Sequence, residues 1–407
     1  MFNMDITAPE KFAVIEFHLN WRSPYACHSD RFIAQRVNFW RDIFTPQLQK
    51  ELMNKMTGES VQMMFSPGKI VPPSTFQKIK KIKRRQFNDH HKPDEKVVPR
   101  LGRFYPKGIL KDIAGIYRVN VEPFRMVEIG NESLSVNFNH PLSGYDVNVI
   151  ATIQKVWGKA DERGGTANDW IESAAEGPGM QVRWNDQPTD FFSDNPFART
   201  DEQADTVFYQ TPRFVQHIDD TAIENVSSIY AGFLKPGMKI LDLMSSWQSH
   251  IPAGIDLSEV VGLGLNEEEL NGNPQLTKYV VQDLNDNIRM PFADSDFDAV
   301  ICTVSIEYLT RPFDVFREVA RILKPGGNFI VTFSNRWFPP KAIKIWSQIH
   351  EFERVGLVSE YFLESDLFTD LATFSIRGYP RPDNDKYAGQ FALSDPIYAV
   401  AGVRVAH

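Results

Sequence analysis

Polar residues able to hold a charged small molecule recur in the second half of the chain just where apolar runs end. Asp242 closes KILDL, Asn266 and Glu267 follow VVGLGL, and Asp283 follows YVVQ. Carboxylates at the ends of successive parallel strands would line one crevice, where they can hold an ammonium group or accept from an amine or a hydroxyl. Met244, Ser245, Ser246 and Trp247 follow Asp242 directly, and a later apolar run, FDAVICTVSIEYL, brings Cys302, Thr303 and Val304 to the same level. His217 and His250 are the histidines nearest these positions, and either could take a proton from a protic acceptor. Cys302 reads as a small buried hydrophobe rather than a nucleophile. His90 and His91 are adjacent, which does not aim two imidazoles at one ion in a strand, and no paired cysteines accompany them, so no metal site is expected.

The elements that must position these residues follow from periodicity. From Asp205 onward strands alternate with helical segments, the pattern of a parallel sheet covered on both faces; the helix RPFDVFREVARIL runs into LKPGG before the strand NFIVTF. From Lys11 to about Trp157 the chain is rich in strands: KFAVIEFHLNW, ESVQMMFSP, FRMVEIG, SLSVNFN and DVNVIATIQKV. One helix interrupts them, with Thr45 as N-cap, Pro46 at its first position, Leu48, Leu52 and Met56 on one face, and Gly58 as its stop. Between about 158 and 204 periodicity fades into Gly, Pro, Asp and Asn, yet the aromatics mark an ordered connector packed on a neighbouring domain, with Trp170, Trp184, Phe191, Phe192 and Phe197 expected to be buried.

Composition narrows the class. The chain has 407 residues, 42% hydrophobic, a length that exceeds one ordinary domain. A net charge of -8 argues against general nucleic-acid or membrane-surface binding. The basic run KIKKIKRRQ is expected to be a solvated face, since only Phe76 and Phe87 flank it as stacking aromatics. Two cysteines, no apolar run near the ~20 residues of a membrane span and an early acid in MFNMDITAPEKFAV point to a cytoplasmic protein.

The order of motifs from about Phe208 to His407 resembles the class I S-adenosylmethionine (SAM) dependent methyltransferases, with a Rossmann-like sheet. That resemblance implies SAM as cofactor, with Asp242 at its ammonium and Asp283 beside Leu284 at its adenine. Asn266 or Glu267 would serve the ribose, and Cys302, Thr303 and Val304 would form a shelf beneath. Tyr209, Arg213 and His217 would belong to a segment closing over the cofactor. Two departures stand out: Met244, Ser245, Ser246 and Trp247 replace the family's glycine loop, and Gly264 stands where the second strand usually ends in an acid.

The first half resembles the SlyD-type branch of the FKBP prolyl isomerases at PFRMVEIGNESLSVNFNHPLSGYDVNVIATIQKV, where Asn139, His140, Pro141, Leu142 and Gly144 match a distinctive turn. It implies a β-rich domain with a flap insertion, a pocket near Phe39, Ile43, Phe44 and Leu48, and a proline-containing or unfolded polypeptide as partner. Val149 stands where that family carries a pocket phenylalanine.

The expected organisation is therefore multidomain α+β and α/β: an FKBP-like domain over 1–160, a connector over 161–204 and a methyltransferase-like domain over 205–407. The expected function is SAM-dependent methyl transfer to an unidentified acceptor, with no single catalytic residue required. The alternative is a chaperone or prolyl isomerase whose methyltransferase-like half no longer binds SAM.

Overall fold

The computed structural model describes residues 6–91, 96–158 and 165–406. The acid-bearing start of the chain and the expected boundary at 160/161 lie outside them. In the first half β1 (Phe12–Arg22) pairs antiparallel with β2 (Ala26–Asn38) and with β8 (Val147–Trp157), and β3 (Ser60–Phe65) pairs with the far side of β8. Alternation along β1 sends Ala13, Ile15, Phe17, Leu19 and Trp21 to one buried face. Helix α1 (Pro46–Glu51) covers that face with Leu48; Thr45 caps it by accepting from the Leu48 amide at 3.4 Å. The helix is shorter than its pattern suggested. Asn54 turns left-handed at φ 59, leaving Met56 40% exposed. Phe39, Phe44 and Leu48 pack into this core, while Ile43 is half exposed.

Between β3 and β8 the chain makes a second sheet, in the order β4 (Ile79–Lys83), β7 (Ser133–Asn137), β6 (Pro123–Ile129), β5 (Phe104–Pro106), with its own apolar core. The basic run forms the edge strand β4: Ile82 points inward and Lys80, Lys81 and Lys83 are exposed, a pattern that discourages further strand pairing.

The second half builds the order β11 (Lys278–Val281), β10 (Glu259–Gly264), β9 (Lys239–Leu243), β12 (Phe297–Thr303), β13 (Leu323–Ser334), β15 (Ile397–Arg404), β14 (Phe368–Arg377). The first five are parallel, and β15 runs antiparallel to both its neighbours. Alternation sorts each strand between two cores. Leu241, Leu243, Val300, Cys302 and Val331 pack with α6 (Pro312–Ile322) and α8 (Glu351–Leu363), while Ile240, Ile301 and Ile330 pack with α4 (Asp220–Ala231). Asp219 caps α4, accepting from the Ala222 amide at 3.0 Å. Of the shorter helices, α3 (Asp205–Phe208) precedes α4, α5 (Glu267–Asn271) follows β10, and α7 (Lys344–Gln348) precedes α8.

The two sheets do not stop at the half-way point. Strand β14 pairs in parallel with β2, from Leu371 opposite Ala26 to Arg377 opposite Phe32, so a single sheet of 11 strands runs through both halves. Its seam is polar and buried. Asp30 accepts from Trp21 Nε1 at 2.8 Å and from Ser375 Oγ at 2.7 Å, and His28 Nδ1 meets Thr373 Oγ1 at 2.6 Å. The connector reinforces the seam. Helix α2 (Trp170–Ala175) packs on the first core, Phe191 is buried in the second, and Trp170, Trp184, Phe192 and Phe197 are half-buried. Arg183 and Arg103 reach α8, bonding Glu360 at 2.8 Å and Glu353 at 3.1 Å. No helix among the described residues is long and apolar enough to cross a membrane.

Candidate functional site: a cleft at the strand ends

The carboxyl ends of β10, β9 and β12 open into a cleft with a cavity volume of about 150 Å³. Asp242, Met244, Ser245, Ser246, Asn266, Asp283, Leu284, Thr303 and Val304 all line it. Cys302 does not, because strand alternation turns its side chain into the apolar core. Burial raises its thiol pKa well above the ordinary value, so it is an unreactive packing residue here.

Asp242 is 2% exposed and sits at the cavity wall. Its carboxylate accepts from Ser245 Oγ, yet no cation pairs with it among the described residues. Burial pushes its pKa up to about 7, only partly offset by the Ser245 and Ser249 hydroxyls. A cationic ligand would reverse that shift.

The turn after β9 solves the missing-glycine problem in its own way. Met244 takes the left-handed conformation itself, at φ 58, and lays its side chain against the apolar core. Ser245 then donates its amide to the Leu263 carbonyl at 2.7 Å, so the turn lies across the end of β10. A Cβ on Gly264 would fall 2.2 Å from the Ser245 carbonyl oxygen. The glycine needed for close backbone approach has thus moved from the first loop to the second strand, which explains why no acid ends β10. Val304, at φ 45, is a second left-handed residue in the cavity wall; for a β-branched side chain that conformation is strained and persists because the surrounding fold imposes it.

Asn266 has a structural task. Its side-chain oxygen caps α5 by accepting from the Glu269 amide at 3.1 Å, while its amide donates to the carbonyls of Tyr209 and Gln210 at 2.9 and 3.1 Å. It therefore clasps the strap 209–217 onto the sheet. Ser246 Oγ donates to Glu269 at 2.6 Å. Asp283 uses one oxygen to accept from the Asn285 amide at 2.9 Å, and burial raises its pKa, with Asp205 nearby raising it further.

Tyr209, Arg213 and His217 of the strap reach the cavity, as does His250. Burial lowers His250 to a pKa of about 4, and it lowers His217 as well. Both imidazoles are neutral near pH 7, and the size of its shift makes His250 a weak base. Tyr308, Phe338 and Asp205 are lining residues that motif order did not reveal. Tyr308 and Phe338 lie just past the ends of β12 and β13, and that position was their one available signal. Asp205 is held by Arg199 at 2.7 Å and by the fully buried Lys341 at 3.2 Å.

A family model described as a methyltransferase domain matches residues 245–331. The ubiquinone/menaquinone biosynthesis C-methyltransferase UbiE of Laribacter hongkongensis is 26% identical over 166 residues, 38% of this chain and 65% of that protein. Squalene methyltransferase 1 of Botryococcus braunii is 35% identical over 104 residues, 24% of this chain and 28% of that protein. The chain thus spans under two thirds of the length of these relatives. The solved structure of an S-adenosylmethionine dependent methyltransferase from Mesorhizobium loti aligns with 46% of this chain and 99% of that one, at 18% identity and a TM-score of 0.32. Over residues 245–331 the second half of the chain is therefore similar to methyltransferase domains.

Proposed function

We propose that the protein binds SAM in this cleft and transfers its methyl group to a small acceptor. The observation that carries the reading is Asp242: a buried carboxylate on a cavity wall, without a cation partner among the described residues, at the end of the central strand. In this reading Asp242 holds the cofactor's ammonium, Asp283 accepts from the adenine amine, and Leu284, Thr303 and Val304 form the floor. Met244, Ser245 and Ser246 bring backbone to the methionine portion, and Asn266 keeps the strap closed over it. SAM supplies an electrophilic methyl group on a sulfonium. The chain's part is to align donor and acceptor and to exclude water, with His217 the better placed of the two histidines for an acceptor that must lose a proton, since burial lowers His250 to about 4.

The relatives' names divide between carbon and oxygen acceptors, the latter including a malonyl-[acyl-carrier protein] O-methyltransferase of Marinomonas, so they do not choose an acceptor for this chain. For the first half we propose a SlyD-like module over 1–160 that serves as a binding or packing platform, with 161–204 as connector and 205–407 as the methyltransferase domain. The turn from Asn139 to Gly144 supports it: Asn139 donates to the Thr75 carbonyl at 3.0 Å and accepts from the Thr75 amide at 2.9 Å, tying the turn to the insertion. A protease-coupled prolyl peptide assay tests that module; turnover without SAM would favour an isomerase over a passive platform.

Calorimetric titration of the full-length protein with SAM and with S-adenosylhomocysteine tests the main reading. Micromolar one-to-one binding is the expected result, and folded protein that binds neither would overturn it.

A further inference from the structure

The cleft has a second end that the cofactor residues do not use. Past the ends of β12 and β13, Phe338 stands 6.1 Å from Tyr308 and 6.4 Å from Tyr209, ring centre to ring centre. The Arg213 guanidinium lies over this aromatic group, 5.4 Å from the centres of both Tyr209 and Phe338. Its Nη2 donates to the Phe208 carbonyl at 2.9 Å, but its Nη1 is buried without a hydrogen-bond partner. A buried charged donor left unmet is costly, and a carboxylate satisfies a guanidinium better than any neutral group.

Two more cations lie outside the cavity wall, near His217. Lys386 Nζ donates to the Gln216 carbonyl at 3.4 Å, and Arg336 stacks on Tyr387 at 4.4 Å. Neither these two nor Arg213 is ion-paired with a carboxylate among the described residues. Their field reaches His217, whose imidazole is held neutral first by burial and then by Lys386, with Arg213 and Arg336 acting in the same direction against Glu269. The acids in the cavity wall are otherwise engaged. Asp205 is paired with Arg199 and Lys341, and Glu269 accepts from Ser246 Oγ and the Arg213 amide. Asp242 and Asp283 belong to the cofactor end. The buried Glu307 beside Tyr308 has its pKa raised to about 8 by burial and is largely uncharged near pH 7, so the acceptor end is aromatic with Arg213 as its cation.

We propose that this end binds the methyl acceptor, and that the acceptor is a small aromatic acid with its ring against Tyr209, Tyr308 and Phe338 and its carboxylate on Arg213. The inference rests on the methyltransferase reading of the cleft. A cationic amine would be repelled by Arg213, and a purely apolar chain would leave that guanidinium unmet. A planar ring bearing a carboxylate meets both the aromatic walls and the guanidinium.

Titration of full-length protein saturated with S-adenosylhomocysteine tests the idea, using benzoate and cinnamate as probes against benzamide and benzylamine. The carboxylates should bind at least tenfold tighter than benzamide, with benzylamine weakest. Arg213→Met should remove that preference, read at S-adenosylhomocysteine concentrations that keep the variant saturated. The exposed Lys386→Gln should weaken the carboxylates two- to threefold and serves if Arg213→Met does not fold. Equal binding of acid and amide, or no binding of any aromatic probe to the saturated protein, would overturn the proposal. Failure of the cofactor reading itself is seen separately, in the titration with S-adenosylhomocysteine that precedes the probes.

Discussion

The Ser245 carbonyl oxygen rests against the Cα of Gly264, so close that an added Cβ would sit 2.2 Å away. Neither partner can retreat easily, because the Ser245 amide is also bonded to the Leu263 carbonyl. Gly264→Ala should therefore push the turn off the end of β10. We expect a cost of about 1–3 kcal/mol in stability, the usual scale for overpacking, and a loss of SAM affinity out of proportion to it. Denaturant titration alongside calorimetry separates the two effects; unchanged SAM affinity would show that the turn does not shape the cofactor site.

Asp242 predicts a pH profile. With its pKa at about 7, the carboxyl is largely protonated at pH 6 and ionised at pH 8. Only the ionised form attracts the cofactor's ammonium, so binding below pH 7 must expel a proton, and affinity should fall about tenfold per unit as pH drops. Above about pH 8 the cofactor's own amino group begins to lose its charge, near the ordinary value of about 7.7–8.0. SAM affinity should accordingly peak between these limits. Titrations in buffers of different ionisation heat should register proton release at pH 6, and Asp242→Asn should abolish it.

Replacing Asp283 with alanine should weaken SAM by about 1–3 kcal/mol, the scale of a lost hydrogen bond to a charged group. The Asn285 amide loses its cap in the same variant, so a thermal melt must accompany the titration. Unchanged affinity in a folded protein would remove Asp283 from the adenine.

The β2–β14 seam makes a prediction about folding. Ser375→Ala leaves buried Asp30 with the Trp21 indole as its one remaining side-chain hydrogen-bond donor among the described residues, and should cost about 1–3 kcal/mol. Because the ladder joins both halves, the loss should appear in unfolding signals from either half. A change confined to one half would mean that the halves unfold independently.

Much of the second half was legible. β9, β10, β12 and β13 were readable because parallel strands buried on both faces are continuous apolar runs, and the residues at their ends then fall at the cleft almost by arithmetic. Strand β2 was not legible, since its buried positions include His28 and Asp30, whose partners Thr373 and Ser375 lie some 345 residues further along. No local pattern announces a pairing at that separation. Cys302 was misplaced by one step of strand alternation, and Asn266 was read for its acceptor chemistry when its side chain is occupied with capping α5 and holding the strap. Tyr308 and Phe338 were missed because aromatics in turns look like packing residues until the fold shows which strand ends they follow.

The continuous sheet also sets a reach. From β12, beneath the cleft, to the free edge at β3 there are about seven strand spacings, roughly 33 Å at the usual 4.7–4.9 Å each. A rigid ladder cannot fold across that interval as a hinge would. A polypeptide gripped at the outer edge of the first half would have to span the gap with its own backbone, about ten extended residues, before any of its side chains met the cleft. Whatever the first half holds, delivery to the second is limited by the length of the cargo rather than by motion of the carrier.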